Sequence, residues 1–110
     1  MGQAAVEELR ERAIKNFLDI FILAQVDKSP QGGYAIISLI HKKFDVLVSS
    51  GTVYSTLYAL ERDGLINGEF DKRKRVYKLT GKGRETLDSV KKANGEIQNL
   101  LKNVLQLNAK

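Results

Sequence analysis

The sequence predicts a mainly α fold carrying one small β-hairpin (α+β), and three observations predict it. Residues 49–64 place Val53, Leu57 and Leu60 at i, i+4 and i+7, then stop at Gly64. Residues 65–70 and 75–79 are short runs of alternating character on either side of Asp71-Lys72-Arg73-Lys74. Residues 3–27, 34–44 and 80–107 repeat apolar side chains three and four apart, as helices with one buried face do.

The chain has 110 residues, 43% of them hydrophobic, which is enough for one domain with a modest core. A net charge of +5 and a pI near 9.5 point to an acidic partner, nucleic acid or an anionic surface. The absence of cysteine excludes disulfides and thiolate metal sites. One histidine, no carboxylate pair in an apolar setting and no phosphate loop leave catalysis without residues to carry it, so neither enzyme activity nor a cofactor nor a metal is expected. No signal-type segment is visible, and the longest apolar cluster, 17–26, is interrupted by Asp19 and Gln25. A soluble, cytoplasmic, nucleoid-associated protein without a membrane partner is the expectation.

Residues 3–27 read as one long helix or two in tandem, with a stripe of Val6, Leu9, Ala13, Phe17, Ile20 and Ala24. The first turns are charged and the second half is apolar nearly all round, so the second half is expected in the core and residues 1–12 outside it. Residues 28–33 (KSPQGG) hold the only proline and a glycine pair and must break the helix. Residues 34–44 form the next helix, with Ile36, Ile37, Ile40 and Phe44 inward and His41 facing solvent beside Lys42 and Lys43. A short apolar turn, 45–48, then delivers the chain to Ser49.

Ser49 and Ser50 are positioned to cap the helix that follows, since a hydroxyl oxygen accepts a bond from an otherwise unpaired N–H. Opposite its apolar stripe that helix carries Thr52, Ser55, Thr56 and Ala59, with Tyr54 on its flank and Arg62 near its end. A surface helix normally carries Lys and Glu; small hydroxyls suit one that approaches another surface closely, and the DNA major groove is such a surface. The alternative is an ordinary amphipathic helix short of charge. Beside it, Lys72, Arg73, Lys74, Arg75 and Lys78 against Asp71 give residues 71–78 a balance of +4, nearly the whole net charge. A solvated loop is the usual fate of such a run; phosphate binding by a dense, mobile cationic tip is the reading its position favours, with Arg73 and Arg75 as contacts. Three helices followed by this hairpin form a tri-helical helix-turn-helix with a wing.

Thr80 is placed to cap a final helix running to Leu107, in which Gly81 and Gly83 join wing to helix and do not form a nucleotide loop. Val90, Ile97 and Val104 fall seven apart, as do Ala93, Leu100 and Leu107, and Leu87 and Leu101 broaden one side. As one helix of about 40 Å at 1.5 Å per residue it outreaches so small a domain, and it is expected to pair with a second copy of itself through Val90, Ile97, Leu100, Leu101, Val104 and Leu107. Gly95 inside it lowers helix stability by about 1 kcal/mol. A helix folded back on its own domain is the alternative.

The residues Gly33-Tyr34, Thr52-Val53-Tyr54, Leu60-Glu61-Arg62-Asp63-Gly64-Leu65-Ile66, Tyr77-Lys78-Leu79-Thr80 and Gly83-Arg84 resemble the PadR-like winged-helix transcription regulators. This chain has Gly32 where that family often has His, and Ser55 where it often has Pro. The resemblance implies a winged helix-turn-helix over 13–79, with the helix at 50–63 in the major groove and the wing on the DNA backbone. It further implies a C-terminal dimerisation helix over 80–110. The implied function is a homodimeric regulator, expected to be a repressor, of double-stranded DNA targets. No motif names a small-molecule effector. The chain also resembles small archaeal winged-helix proteins that coat DNA with little sequence preference, so an architectural DNA-binding protein is a second reading. A winged helix used for protein–protein contact is a third, which has no need of four consecutive cations.

Overall fold

A computed structural model describes residues 2–107. The N-terminal helical stretch is realised in tandem: α1 (Gly2–Asn16) and α2 (Leu18–Lys28) meet at Phe17, whose φ of −108° and ψ of 22° step out of the helical region. The charged first half buries no residue, whereas α2 buries Leu18, Ile22, Leu23, Gln25 and Val26. Helix α3 (Gly33–Phe44) turns Ile36 and Ile40 inward and stops at Asp45, which takes the left-handed conformation. His41 is exposed, 3.9 Å from the Asp45 carboxylate. The turn at 45–49 sends Val46 and Val48 into the core and leads to α4 (Ser50–Arg62), which adds Val53, Leu57 and Leu60. With Ile66, Tyr77 and Leu87 these side chains form one continuous core, each aliphatic contributing about 1.5–3 kcal/mol by leaving water.

The wing consists of β1 (Ile66–Asp71) and β2 (Lys74–Leu79), paired antiparallel from Ile66 opposite Leu79 to Asp71 opposite Lys74. A third chain segment joins it. Gln31 exchanges both backbone bonds with Tyr77, at 3.3 and 2.9 Å, and its side-chain amide donates to the Gln25 carbonyl at 2.9 Å. The break at 28–33 is therefore tied both to the sheet and to α2, which sets where α3 begins.

Beyond the wing, Thr80 caps α5 (Gly81–Lys92) by accepting the Gly83 N–H at 3.0 Å, and its hydroxyl donates to the Gly64 carbonyl at 2.6 Å. Gly83 is required by packing: a Cβ there would lie 2.0 Å from the Leu65 carbonyl oxygen. Arg84 and Lys91 both pair with Asp27, strapping α5 to α2.

The single long C-terminal helix expected from the heptads is not what forms. It is divided at Ala93 into α5 and α6 (Asn94–Val104). The Ala93 N–H is shared between the Ser89 and Val90 carbonyls at 3.1 Å each, a tightened last turn, and φ −83°, ψ 5° takes the residue out of the helix. Asn94 and Gly95, both poor helix formers, follow at once and offer little resistance to the break. Val90 is half-buried on the domain side of the break; Ile97, Leu100, Leu101, Val104 and Leu107 beyond it are all exposed. Of the 80–110 span, residues 108–110 lie outside the described residues.

Candidate nucleic-acid interface

The start of α4 is built by its own sequence. Ser49 adopts extended backbone and accepts the Thr52 N–H at 3.1 Å, while its hydroxyl donates to Thr52 Oγ1 at 2.8 Å. The end is equally local: Gly64 sits at φ +79° and the Leu65 N–H returns to the Leu60 carbonyl at 2.9 Å, the glycine stop for which a left-handed residue is needed. Between these ends Ser50, Thr52, Ser55, Tyr58 and Arg62 are exposed. Thr56 and Ala59 are half-buried, turned toward the α1–α2 joint near Lys15 and Leu18, and the Thr56 hydroxyl is bonded to the Thr52 carbonyl at 2.9 Å. The open face of the helix is thus narrower than the full set of small side chains.

Two tyrosines border that face. Tyr54 packs its ring against Gly33, where a Cβ would come within 2.5 Å of Tyr54 Cζ, and meets Tyr34 edge to face at 6.0 Å. Burial, followed by the neighbouring Tyr34, Tyr77 and Tyr58, raises the Tyr54 pKa above the ordinary 10.0, so its hydroxyl keeps its proton at neutral pH. Tyr34 itself is 74% exposed. A recess of about 390 Å³ lies between these rings and the wing, lined among others by Arg73, Arg75 and Val76. Tyr34 enters the sequence pattern only through the Gly33-Tyr34 pair, and Tyr58 does not enter it at all. The signal available for Tyr58 is its position four residues after Tyr54, one turn along the same side of α4.

The wing divides its cations into two groups. Lys72 and Arg73 form the two-residue tip at φ 50° and 73°, so the tip is a tight mirror-image turn and not a loose loop. Such turns prefer Asn-Gly, and each L-residue held left-handed costs about 1–2 kcal/mol. Among the described residues Lys72, Arg73 and Lys74 have no carboxylate partner. Lys78, by contrast, pairs with Glu69 at 3.4 Å. Arg75 is held by Glu61 of α4, its Nη2 donating to Oε2 at 2.7 Å and to Oε1 at 3.0 Å. The Arg75 guanidinium, then the Gly68 amide, hold the Glu61 carboxyl below its ordinary pKa of 4.5. Arg75 is therefore occupied within the chain, and among the described residues the unpaired positive charge of the wing lies at 72–74.

No group of three or more metal-ligating side chains comes together among the described residues, and no described helix is long and apolar enough to cross a membrane. No curated protein matches the chain. Solved structures do. A PadR-like transcriptional regulator from Bacillus cereus is 27% identical with a TM-score of 0.74, over 86% of this chain and 97% of that one. A transcriptional regulator from Clostridium thermocellum is also 27% identical, with a TM-score of 0.71 over 90% and 99% of the two chains. A PadR family regulator from Eggerthella lenta, 24% identical, shares the fold with a TM-score of 0.76 over 96% and 93%. The profile of the Transcriptional regulator PadR-like family matches residues 22–89, from the middle of α2 almost to the end of α5. With the matched stretch covering more than half of its length, this winged-helix chain belongs to the PadR-like family of transcriptional regulators.

Proposed function

We propose that this DNA-binding, non-enzymatic regulator acts as a homodimeric repressor that sets α4 into the major groove and the wing tip onto the backbone. The observation that carries the reading is the unpaired trio Lys72, Arg73 and Lys74, the free charge of the wing whose base is bonded to α4. Ser49, Ser50, Thr52, Tyr54, Ser55 and Thr56 supply the groove face, and Arg62 follows at its end with its guanidinium 3.6 Å from Asp63. Replacing Lys72 and Arg73 with Ala is expected to weaken binding to all duplexes alike. It should also flatten the plot of log K against log salt by roughly 0.9 for each phosphate that is no longer neutralised. An unchanged slope in a fluorescence anisotropy titration means that the tip is only a solvated turn.

The dimer is supported by apolar surface that the domain does not cover. In α6, Ile97, Leu100, Leu101 and Val104 are exposed, and α1 leaves Val6 and Leu9 in the same state. A two-fold pair joined there would present its two α4 helices about one DNA turn apart, roughly 34 Å.

A low-specificity, architectural role is favoured by the groove face itself. Its exposed polar side chains are hydroxyls, with no Arg, Asn or Gln before Arg62 to bond a base edge in bidentate fashion, and each such pairing is worth about 1–3 kcal/mol of discrimination. Selection from random duplexes is expected to return a degenerate consensus shaped by groove width. A sharp G-rich consensus contradicts that role and favours a dedicated operator.

A further inference from the structure

Glu61 stands in the last turn of α4 and reaches both strands of the wing. Its Oε2 accepts the Gly68 N–H of β1 at 3.0 Å and the Arg75 guanidinium of β2 at 2.7 Å, with Oε1 a second acceptor for Arg75 at 3.0 Å. Arg75 then lies across the sheet, 5.7 Å from the ring centroids of both Phe70 and Tyr77. It can do so because residue 68 is glycine: a Cβ there would come within 2.6 Å of Arg75 Nε. A carboxylate, a glycine and an arginine from three elements are thus fitted to one another.

We propose that Glu61 and Arg75 are positioning residues for DNA binding, a strut that fixes the angle between α4 and the wing so that groove face and cationic tip engage one duplex together. The inference rests on the DNA-binding reading above. A carboxylate beside a DNA-binding face repels a polyanion, and here Arg75 neutralises it. Side-chain exposures of 36% for Arg75 and 25% for Glu61 keep the pair partly shielded from water and salt. Arg75, bound to the carboxylate through Nη2 and stacked near two rings, acts on DNA through geometry, in contrast to Arg73 at the tip.

The two possible roles of Glu61 predict opposite signs. If Glu61 were merely an unwanted negative charge, Glu61→Ala would tighten DNA binding. As a strut, its loss is expected to weaken binding about fivefold, because apparent affinity falls with the fraction of molecules whose wing is correctly set. The salt slope is expected to stay the same or steepen, since Arg75 is freed. Glu61→Gln, which retains an oxygen for the Gly68 N–H and for Arg75, is expected to restore most of the affinity. Gly68→Ala provides a second route, pushing the guanidinium aside with no change in charge, and is expected to weaken binding by less than Glu61→Ala does, because the flexible Arg75 side chain can shift while keeping part of the pair. Anisotropy titrations of each full-length variant at two salt concentrations, with far-UV circular dichroism confirming the fold, measure all of this. Tighter or unchanged binding by Glu61→Ala overturns the strut. A wild-type protein that binds no duplex at all overturns the DNA-binding reading and takes the strut with it.

Discussion

Helices α4 and α6 are of similar length, 13 and 11 residues, and both carry an apolar stripe at helical spacing. In α4 the stripe is consumed by the domain, with Val53, Leu57 and Leu60 all buried. In α6 it is left over: no residue is buried, and Leu100 is 63% exposed. Periodicity therefore reports that a helix has a face to cover, and says nothing of what covers it. For α4 the cover is α2, α3 and the base of the wing. For α6 the described residues bury none of it, and the dimer proposed above is what would.

The largest expected effect tests that contrast directly. Leu57→Ala opens a cavity in the shared core and is expected to cost about 2–5 kcal/mol in urea unfolding. Leu100→Ala, cut from a side chain already in water, is expected to leave domain unfolding within about 0.5 kcal/mol of wild type, while weakening self-association. Equal losses from the two would mean that α6 is covered by its own chain.

A second variant separates assembly from folding. Changing Ile97 and Leu100 to Asp places two charges on the leftover stripe, where burial is far costlier than exposure. Sedimentation is expected to shift from dimer to monomer, and DNA affinity to fall although the α4 face and the wing are untouched. A wild-type monomer at micromolar concentration, or a variant that binds DNA as well as wild type, removes the dimer from the mechanism.

The smallest effect concerns the joint between α4 and the wing. Because Arg75 and the Gly68 amide lower the folded-state pKa of Glu61, its stabilising contribution is complete above the ordinary carboxylate value of 4.5. That contribution is lost as pH falls through the lowered value. Thermal melts of wild type and Glu61→Gln are expected to differ near neutral pH and to converge as the pH falls below the ordinary carboxylate value and through the lowered one, in line with the proton linkage. A gap that persists in acid would assign the effect to packing and not to ionisation.

What was legible in the chain follows the same division between local and distant causes. The ends of α4 were readable because Ser49 and Gly64 act on their immediate neighbours. The hairpin was readable because four charged residues separate two alternating runs, with every strand end within one residue of that expected. The tandem form of the N-terminal stretch was one of two readings left open. The break at Ala93 was masked by a heptad pattern that runs through it unaltered, with Gly95 the one warning. The Gln31–Tyr77 bridge and the Glu61–Arg75 pair link residues far apart in sequence, and no periodicity records such a partner. Arg75 looked like its neighbours at 72–74 because charge is visible in a sequence and the company it keeps is not.

The left-handed pair at the wing tip sets the protein's stability against its charge. Anyone improving the hairpin by rule would write Asn-Gly at 72 and 73, relieving two residues that sit at φ 50° and 73°. The redesigned turn would close more readily and melt higher, and it would present no free cation except Lys74. Selection for thermal robustness alone would therefore remove two of the three cations on which the proposed phosphate contact rests, while leaving the core packing intact. If the wing tip holds phosphate as proposed, a homologue with Asn-Gly at this turn is expected to be a sturdier protein with a weaker electrostatic hold on DNA, and its salt dependence would show the difference before its fold showed any change.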